Sequence, residues 1–349
     1  MTVRQALLRR HLLASAAMAS AAPGVSAAPA PRPRFYAKGT KQREVRFAGA
    51  AGVTLAGTLL LPIWSELEKV PGVVLVAGSG PTDRDGNNAL VGERIDLLKQ
   101  IAELLAEAGI GSLRYDKRGI GESTPRPHGG VAEQARFFSW DNFLADVAAA
   151  HAELVRQDEI KAYATALLGH SEGGLLVLAA APAITRNPPY GLVLLATPGR
   201  RLEDVLYDQI GRGAPNLVDP ARKIVAEILA DGHVPADLPR ELQLLFPPYA
   251  GPFLQRLLAF DPARALAASP LACLLLQGAA DRQVVPMADV QPLIDALGKR
   301  DAPGEAMIVP SASHNLKVVS WPTDPGFGGP LAPAATAKLT AWMKQLLGA

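Results

Sequence analysis

The sequence predicts an α/β fold in which a mostly parallel central sheet is flanked by helices on both faces. Short apolar runs alternate along the chain with amphipathic stretches at helical spacing, as in strands joined by crossover helices. The apolar runs, such as 73–77, 164–168 and 192–196, are nearly continuous. That composition is typical of parallel strands buried on both faces.

The predicted elements begin with an antiparallel pair of strands at 44–47 and 53–61, separated by Gly49 and Gly52. Further strands are predicted at 73–77, 112–115, 164–168, 192–196, 271–277 and 306–309. Helices are predicted at 94–108, 140–155 and 173–181, from about residue 287, and at 334–347.

The alternation stops once, in a helical and proline-rich segment. Helices at 202–210, 220–230 and 252–258, with no strong strand between them, predict a helical cap at about 199–268 over one end of the sheet. Plain loops are the alternative, although structureless loops of this length are uncommon. The candidates for either lining a pocket or packing the cap are Pro247, Pro248, Tyr249 and Phe253.

Composition limits the classes of function. With 349 residues, 49% of them hydrophobic and 19% charged, the chain can fold as one large globular domain or two small ones. A net charge of +2 and the lack of a basic stripe with aromatic residues give no support for nucleic-acid binding. The single cysteine, Cys273, is expected to be a buried core residue.

The N-terminus is predicted to be a signal peptide over residues 1–28, followed by a linker at 29–42 and the α/β domain at 43–349. Arg4, Arg9 and Arg10 precede a weakly apolar stretch, and Val25-Ser26-Ala27 provides small residues for cleavage. The arginine pair fits a twin-arginine signal, while an ordinary Sec signal is the alternative. A mature protein that is exported, to the periplasm or beyond, is expected, with no membrane span. The oligomeric state is left open.

The strongest motif is Gly169-His170-Ser171-Glu172-Gly173, which fits G-x-S-x-G between a predicted strand and a predicted helix. In that context Ser171 is expected on a strained turn with its hydroxyl exposed above the sheet. Gly169 and Gly173 are required because a Cβ atom there would collide with the adjoining strand and helix.

A serine needs a base to become a nucleophile, and that base is usually a histidine oriented by a carboxylate. His314 lies in a polar loop after a late strand, and Asp281 follows the strand at 271–277, so both occur in the order Ser, Asp, His. A turn or N-cap role is the alternative for Asp281. Among the other histidines, His151 is expected to be solvated and His170 to have local partners.

The oxyanion hole of such a site consists of two backbone N–H groups. Glu172 and, in the loop Gly78-Ser79-Gly80-Pro81, Ser79 are the candidates. The glycines of that loop do not complete G-x-G-x-x-G, and neither G-x-x-x-x-G-K-[ST] nor H-E-x-x-H occurs, so no cofactor or metal is expected.

These motifs, with the stretches 78–87, 115–123 and 278–286, resemble the α/β-hydrolase superfamily, in particular secreted bacterial hydrolases of the esterase-like or serine aminopeptidase-like branch. The resemblance spans about residues 45–345 and implies hydrolysis of an ester or a related acyl bond without a cofactor. Many relatives carry His-Gly at the oxyanion loop, where this chain has Ala77-Gly78.

The resemblance leaves several activities open. Carboxylesterase activity through an acyl-enzyme is favoured, and an amidase, peptidase or thioesterase using the same three residues is the alternative. A binding protein on a hydrolase scaffold would need a broken triad, and the sequence contains all three members. The polar residues Asp83, Arg84 and Asp85 are expected to pair with one another, and Asp116 and Arg118 to hold loops.

Overall fold

The computed structural model describes residues 39–63, 69–321 and 323–349. Its core is a single eight-stranded sheet with the order β1-β2-β4-β3-β5-β6-β7-β8. The strands are β1 (Thr40–Ala48), β2 (Thr54–Pro62), β3 (Val70–Val76), β4 (Gly111–Tyr115), β5 (Ile160–His170), β6 (Gly191–Leu195), β7 (Ala272–Gly278) and β8 (Gly304–Val309).

The strand pairing confirms the predicted mostly parallel sheet. Only β1–β2 and β2–β4 are antiparallel, and all the remaining neighbours among the described strands are parallel. The central strands β3, β4, β6 and β7 are buried along their whole length, as predicted from the apolar sequences of β3, β6 and β7, whereas β4 is buried although it contains Ser112 and Arg114. Cys273 lies in β7 and is fully buried, and this burial raises the pKa of its thiol to about 12.

The described helices are α1 (Leu97–Glu107), α2 (Val131–Phe137), α3 (Trp140–Arg156), α4 (Glu172–Ala180), α5 (Leu202–Gly213), α6 (Val218–Asp231), α7 (Gly251–Ala259), α8 (Pro262–Ala267), α9 (Gln291–Leu297) and α10 (Pro333–Leu347). Two hydrophobic clusters show how they cover the sheet. Side chains of α1 and α10 pack on one face, and those of α3, α4 and α9 pack on the other. No helix within the described ranges is both long and apolar enough to cross a bilayer.

The interruption predicted between β6 and β7 contains four helices, α5 to α8, which we call the insertion helices. Their apolar side chains join the cluster on the α3 face, so the insertion shares a core with the sheet domain. Phe253 of α7 lies 5.9 Å from Trp140 and 5.3 Å from Phe143 between ring centroids. Tyr249 similarly contacts Phe138. Both residues therefore pack the insertion against α2 and α3.

Several predicted boundaries were wrong. Strand β1 begins at Thr40, inside the predicted linker, because its polar residues pair edge-to-edge with β2 and show no apolar alternation. The short helices α2 and α8 were not predicted, since neither presents more than two turns of apolar periodicity. Most of the predicted N-terminal signal and linker lies outside the described residues.

Candidate active site

The candidate site lies where the carboxyl ends of the parallel strands meet, the edge at which open α/β sheets bind ligands. Strand β5 leads into Ser171, β7 into the turn with Asp281, and β8 into the loop with His314. Ser79, Ser171, Glu172 and His314 line a single cleft of about 320 Å³, which includes space open to solvent. The topology thus brings together residues that are up to 235 positions apart, from Ser79 to His314.

Ser171 lies on the sharp turn between β5 and α4. Its backbone has φ 55° and ψ −122°, a conformation that ordinary residues avoid, and its N–H donates to the Leu195 carbonyl at 2.8 Å. A Cβ atom on Gly169 would lie 2.2 Å from the Gly173 carbonyl oxygen, and one on Gly173 would lie 2.3 Å from that of Val76. The two glycines are therefore required for the turn, as the sequence predicted.

Asp281 is buried and its carboxylate is held by four donors. Oδ1 accepts from the backbone N–H groups of Gln283 and Val284 at 2.7 and 3.0 Å. Oδ2 accepts from Gln277 Nε2 at 2.8 Å and from His314 Nδ1 at 2.7 Å. Since the carboxylate accepts, Nδ1 of His314 carries a proton and Nε2 is left with its lone pair.

His170 packs against His314 with the two rings tilted by 57°. The ring centroids are 4.7 Å apart, and His170 Nε2 donates to the His314 carbonyl oxygen at 3.0 Å. The expectation of local partners for His170 was therefore wrong, because β5 and β8 end at the same edge of the sheet. Burial, followed by the nearby His314, lowers the pKa of His170 to about 3, so this imidazole is neutral.

The oxyanion candidates line the same cleft as Ser171. Ser79 is buried in the loop after β3, and Gly78 packs so closely on the elbow that a Cβ atom there would lie 3.2 Å from His170 Nδ1. Glu172 begins α4, directly after the serine. Lys117, which follows β4, is also buried here and donates to the Gly78 carbonyl oxygen at 2.5 Å.

Sequence reasoning did not assign a role to Gln277 or Lys117. Gln277 is the last residue but one of β7, and its side-chain amide donates to Asp281. Lys117 stands in Asp116-Lys117-Arg118, a stretch noted only for loop support. An amide or a lysine at the carboxyl end of a buried strand is the signal that could have revealed both.

The prediction for His151 was also wrong. Its side chain is buried between α3 and β5, where Nε2 contacts the Thr165 hydroxyl at 2.9 Å, and burial lowers its pKa to about 4. It lies far from the cleft, because Thr165 is six residues before Ser171 on an extended strand.

The polar loops next to the cleft pair more widely than predicted. Arg84 forms ion pairs with Asp116 and Glu44, and Asp85 pairs with Arg114 rather than with its neighbour. Arg118 forms a buried pair with Asp146, which confirms the expected loop-holding role.

Burial raises the pKa of the Asp83 carboxyl to about 6. Among the described residues, no group of three or more His, Cys, Asp or Glu side chains is arranged to hold a metal ion.

Comparisons with known proteins agree with this architecture. Solved structures cover most of the chain at low sequence identity. The α/β hydrolase GrgF of a Penicillium species has a TM-score of 0.56 at 17% identity, covering 88% of this chain and all of that one. The ferulic acid complex of Est1E from Butyrivibrio proteoclasticus has a TM-score of 0.55 at 16% identity, covering 87% of this chain and all of that one.

The chain has the α/β-hydrolase fold.

Sequence comparisons cover shorter stretches of the chain. The family described as serine aminopeptidase, S33, matches residues 91–244. Esterase EstD of Thermotoga maritima is 35% identical over 142 residues, which is 40% of this chain. The match spans only about 30% of the length of EstD. The S33 match includes Ser171 and ends before Asp281 and His314, so the roles of the latter two depend on the geometry.

Proposed function

We propose that this chain is a serine hydrolase that cleaves carboxylic esters through an acyl-enzyme intermediate. The observation that carries the proposal is a serine in a strained turn that shares one cleft with an imidazole. The Nδ1 atom of that imidazole is bound to a buried carboxylate at 2.7 Å. The relatives named as esterases support the same class of reaction.

In the proposed reaction Ser171 Oγ attacks the ester carbonyl carbon while His314 Nε2 takes its proton. The imidazolium that forms is stabilised by Asp281, and it then protonates the alkoxide as the ester C–O bond breaks. A water molecule next attacks the acyl-enzyme, with His314 as base, and the carboxylic acid leaves as Ser171 regains its proton. Each proton that the imidazole takes is returned within the same half-reaction.

The negative charge of each tetrahedral intermediate is proposed to rest on the backbone N–H groups of Ser79 and Glu172. Glu172 is the first residue of α4, so its N–H points out of the helix N-terminus, where the helix dipole favours negative charge. Ser79 lines the cleft from the facing loop. Two such donors in a site shielded from water are worth several orders of magnitude in rate.

The lining of the cleft favours a small apolar acyl or alcohol group. Five apolar side chains surround the space next to Ser171, with Gln209 and Gln283 at its edge. The apolar residues are Leu175, Pro198, Leu202, Val205 and Val284. Because Leu202, Val205 and Gln209 belong to α5, the insertion acts as a cap that shapes the substrate pocket.

The second candidate is an aminopeptidase or amidase, which the name of the S33 family suggests. An aminopeptidase needs a carboxylate free to bind the substrate ammonium group. Glu172 is the acid among the described residues that line the cleft, and its carboxylate faces Lys117 at 3.4 Å. Because this carboxylate is already paired, the cleft favours an ester hydrolase over an aminopeptidase. Rates for an ester, its matched thioester and its matched anilide decide among the three.

The proposal is tested with Ser171→Ala. We expect hydrolysis of p-nitrophenyl butyrate to fall by about 10⁴-fold or more, since the triad acts as a unit. Labelling by a fluorophosphonate probe should also disappear. The matched control is Ser112→Ala, a buried serine in β4, which should retain both properties. Full activity in Ser171→Ala would contradict the assignment.

Export is proposed on sequence grounds alone. The arginines at 4, 9 and 10, the weakly apolar stretch and the small residues before 28 support a cleaved signal. Cell fractionation of the full chain and of a form with Arg9→Lys and Arg10→Lys tests this. Loss of export in the double variant indicates the twin-arginine route, unchanged export indicates Sec, and uncleaved cytoplasmic protein contradicts the proposal.

A further inference from the structure

Lys117 is a buried lysine beside the proposed oxyanion hole. Its side chain is 4% exposed, and Nζ lies 2.5 Å from the Gly78 carbonyl oxygen and 3.4 Å from Glu172 Oε1. The ammonium also faces the Phe143 ring, 6.0 Å from the centroid. Burying an ammonium is costly, so its partners must compensate for the lost water. These partners belong to the two segments that supply the proposed oxyanion donors.

The hydrogen bond to Gly78 fixes the orientation of one of those donors. The Gly78 carbonyl and the Ser79 N–H belong to the same planar peptide unit. That unit is trans, because the one cis bond found in the described residues is Thr124–Pro125. In a trans peptide the C=O and N–H groups point in opposite directions. Holding the carbonyl on Lys117 therefore directs the Ser79 N–H away from Lys117.

The next peptide unit is held as well. The Ser79 carbonyl oxygen accepts from the Thr82 hydroxyl at 2.7 Å and from Asn88 Nδ2 at 3.4 Å, and all three residues are buried. Both peptide planes next to the Ser79 Cα are thus fixed by side chains. A preset donor loses no energy to reorientation as charge develops.

Charge adds to the positioning. An ammonium that donates to a carbonyl polarises the whole peptide unit and makes its N–H a stronger donor, and the effect is greater where water is excluded. The pair with Glu172 keeps the ammonium at this position and ties it to the residue that follows the nucleophile.

We propose that Lys117 is a positioning residue that presets and polarises the Gly78–Ser79 peptide as one arm of the oxyanion hole. The inference rests on the proposed serine hydrolase function. Lys117 acts through the peptide and the Glu172 carboxylate.

The test compares inhibitors that do and do not form an oxyanion. A trifluoromethyl ketone adds the serine hydroxyl and places an oxyanion in the hole, while the methyl ketone of the same chain binds without adding. In Lys117→Met we expect kcat for p-nitrophenyl butyrate to fall about 10- to 100-fold with KM within about threefold. The inhibition constant of the trifluoromethyl ketone should weaken by the same factor as kcat, and that of the methyl ketone should not change.

Two further variants keep the test decisive if Lys117→Met does not fold. Lys117→Met with Glu172→Gln removes the unpaired buried carboxylate, and Thr82→Val loosens the same loop without removing a charge. Both variants should weaken the binding of the trifluoromethyl ketone and leave the binding of the methyl ketone unchanged. For Thr82→Val we expect a loss of about three- to tenfold, since one hydrogen bond is removed. Lys117→Arg should recover part of the loss, because a cationic donor remains.

The control for lost stability is Thr165→Val, which removes the buried partner of His151 far from the cleft. It should lower the melting temperature and leave the ratio of the two inhibition constants unchanged. If the Lys117 variants bind both ketones more weakly by the same factor, or bind both as tightly as the wild type does, the inference is overturned. A wild-type protein that neither hydrolyses esters nor reacts with a fluorophosphonate would instead refute the proposed function.

Discussion

The two sides of the cleft hold their functional groups by different means. On the side of β7 and β8 the groups are side chains: the Asp281 carboxylate receives four hydrogen bonds and orients the His314 imidazole. On the side of β3 and β4 the proposed group is the backbone N–H of Ser79: Lys117 holds the peptide that carries it, and Thr82 and Asn88 hold the next peptide. We call these the imidazole side and the amide side.

The difference teaches that a carboxylate and a peptide need different support. The Asp281 side chain can rotate about two bonds, so donors on both oxygens are needed to fix it. A peptide plane is rigid, so one strong hydrogen bond on the carbonyl orients the N–H opposite. We therefore expect a large fall in kcat when the carboxylate of the imidazole side is changed. Changes on the amide side should lower kcat by a smaller factor.

The largest effect is expected for Asp281→Asn. An amide at this position can donate to His314 Nδ1, which favours the tautomer with the proton on the wrong nitrogen, and kcat should fall by about 10³- to 10⁴-fold. The matched control is Asp289→Asn, which changes a buried aspartate that pairs with Arg200 outside the cleft. It should reduce the melting temperature and keep kcat within about threefold. Similar losses in both variants would remove the distinction between the sides.

An intermediate effect is expected for Gly78→Ala on the amide side. The added methyl group would lie 3.2 Å from His170 Nδ1 and 3.4 Å from Ser171 Cβ, so the loop must shift by a few tenths of an ångström. We expect kcat to fall about tenfold with little change in KM, as a displaced oxyanion donor would cause. Gly92→Ala is the control, because a Cβ atom there has no neighbour within 4 Å. A larger loss than in Asp281→Asn would reverse the comparison.

The smallest effect on catalysis, and a clear one on stability, is expected for His151→Gln. The pKa of His151 is lowered from 6.5 to about 4 by burial, so below pH 6.5 protons bind preferentially to the unfolded chain. Stability is therefore lost as the pH falls, by about 2 kcal/mol between pH 7 and pH 5.

The glutamine side chain of this variant does not titrate, so in urea unfolding the difference between wild-type and variant free energies should change by that amount over this range. His170, whose pKa is lowered in the same direction, is present in both proteins and cancels. Parallel pH curves for the two proteins would contradict the assignment of His151 as a buried neutral group, and kcat should be similar in both.

This contrast also explains what the sequence could predict. The imidazole side could be predicted from the sequence because its groups are side chains of rare types in a fixed chain order. Gly169 and Gly173 likewise predicted the turn at Ser171, since steric exclusion leaves no other residue. The fold was predictable because β3, β6 and β7 are short apolar runs that alternate with amphipathic stretches at helical spacing.

Other features depend on tertiary contacts that no local pattern encodes. His151 is a different case: it lies four residues after Val147 and three before Leu154, so helical spacing already places it on the buried face of α3, and the prediction failed because it followed the residue type and not the position. His170 and His314 are 144 residues apart and meet because their strands end at one edge. The position of Lys117 just after a buried strand could have marked it as a candidate, but its contact with the Gly78 carbonyl oxygen is visible only in the structure.

The position of Cys273 has a practical consequence for studying the insertion helices. It is the one cysteine in the sequence, and it lies inside β7, where an alkylating reagent has no access and the thiol stays protonated near neutral pH. A cysteine introduced at Leu202 of α5, at the mouth of the cleft, would therefore be the single reactive thiol. A spin label or fluorophore attached there would report whether α5 moves when substrate is added, with no background from the native chain.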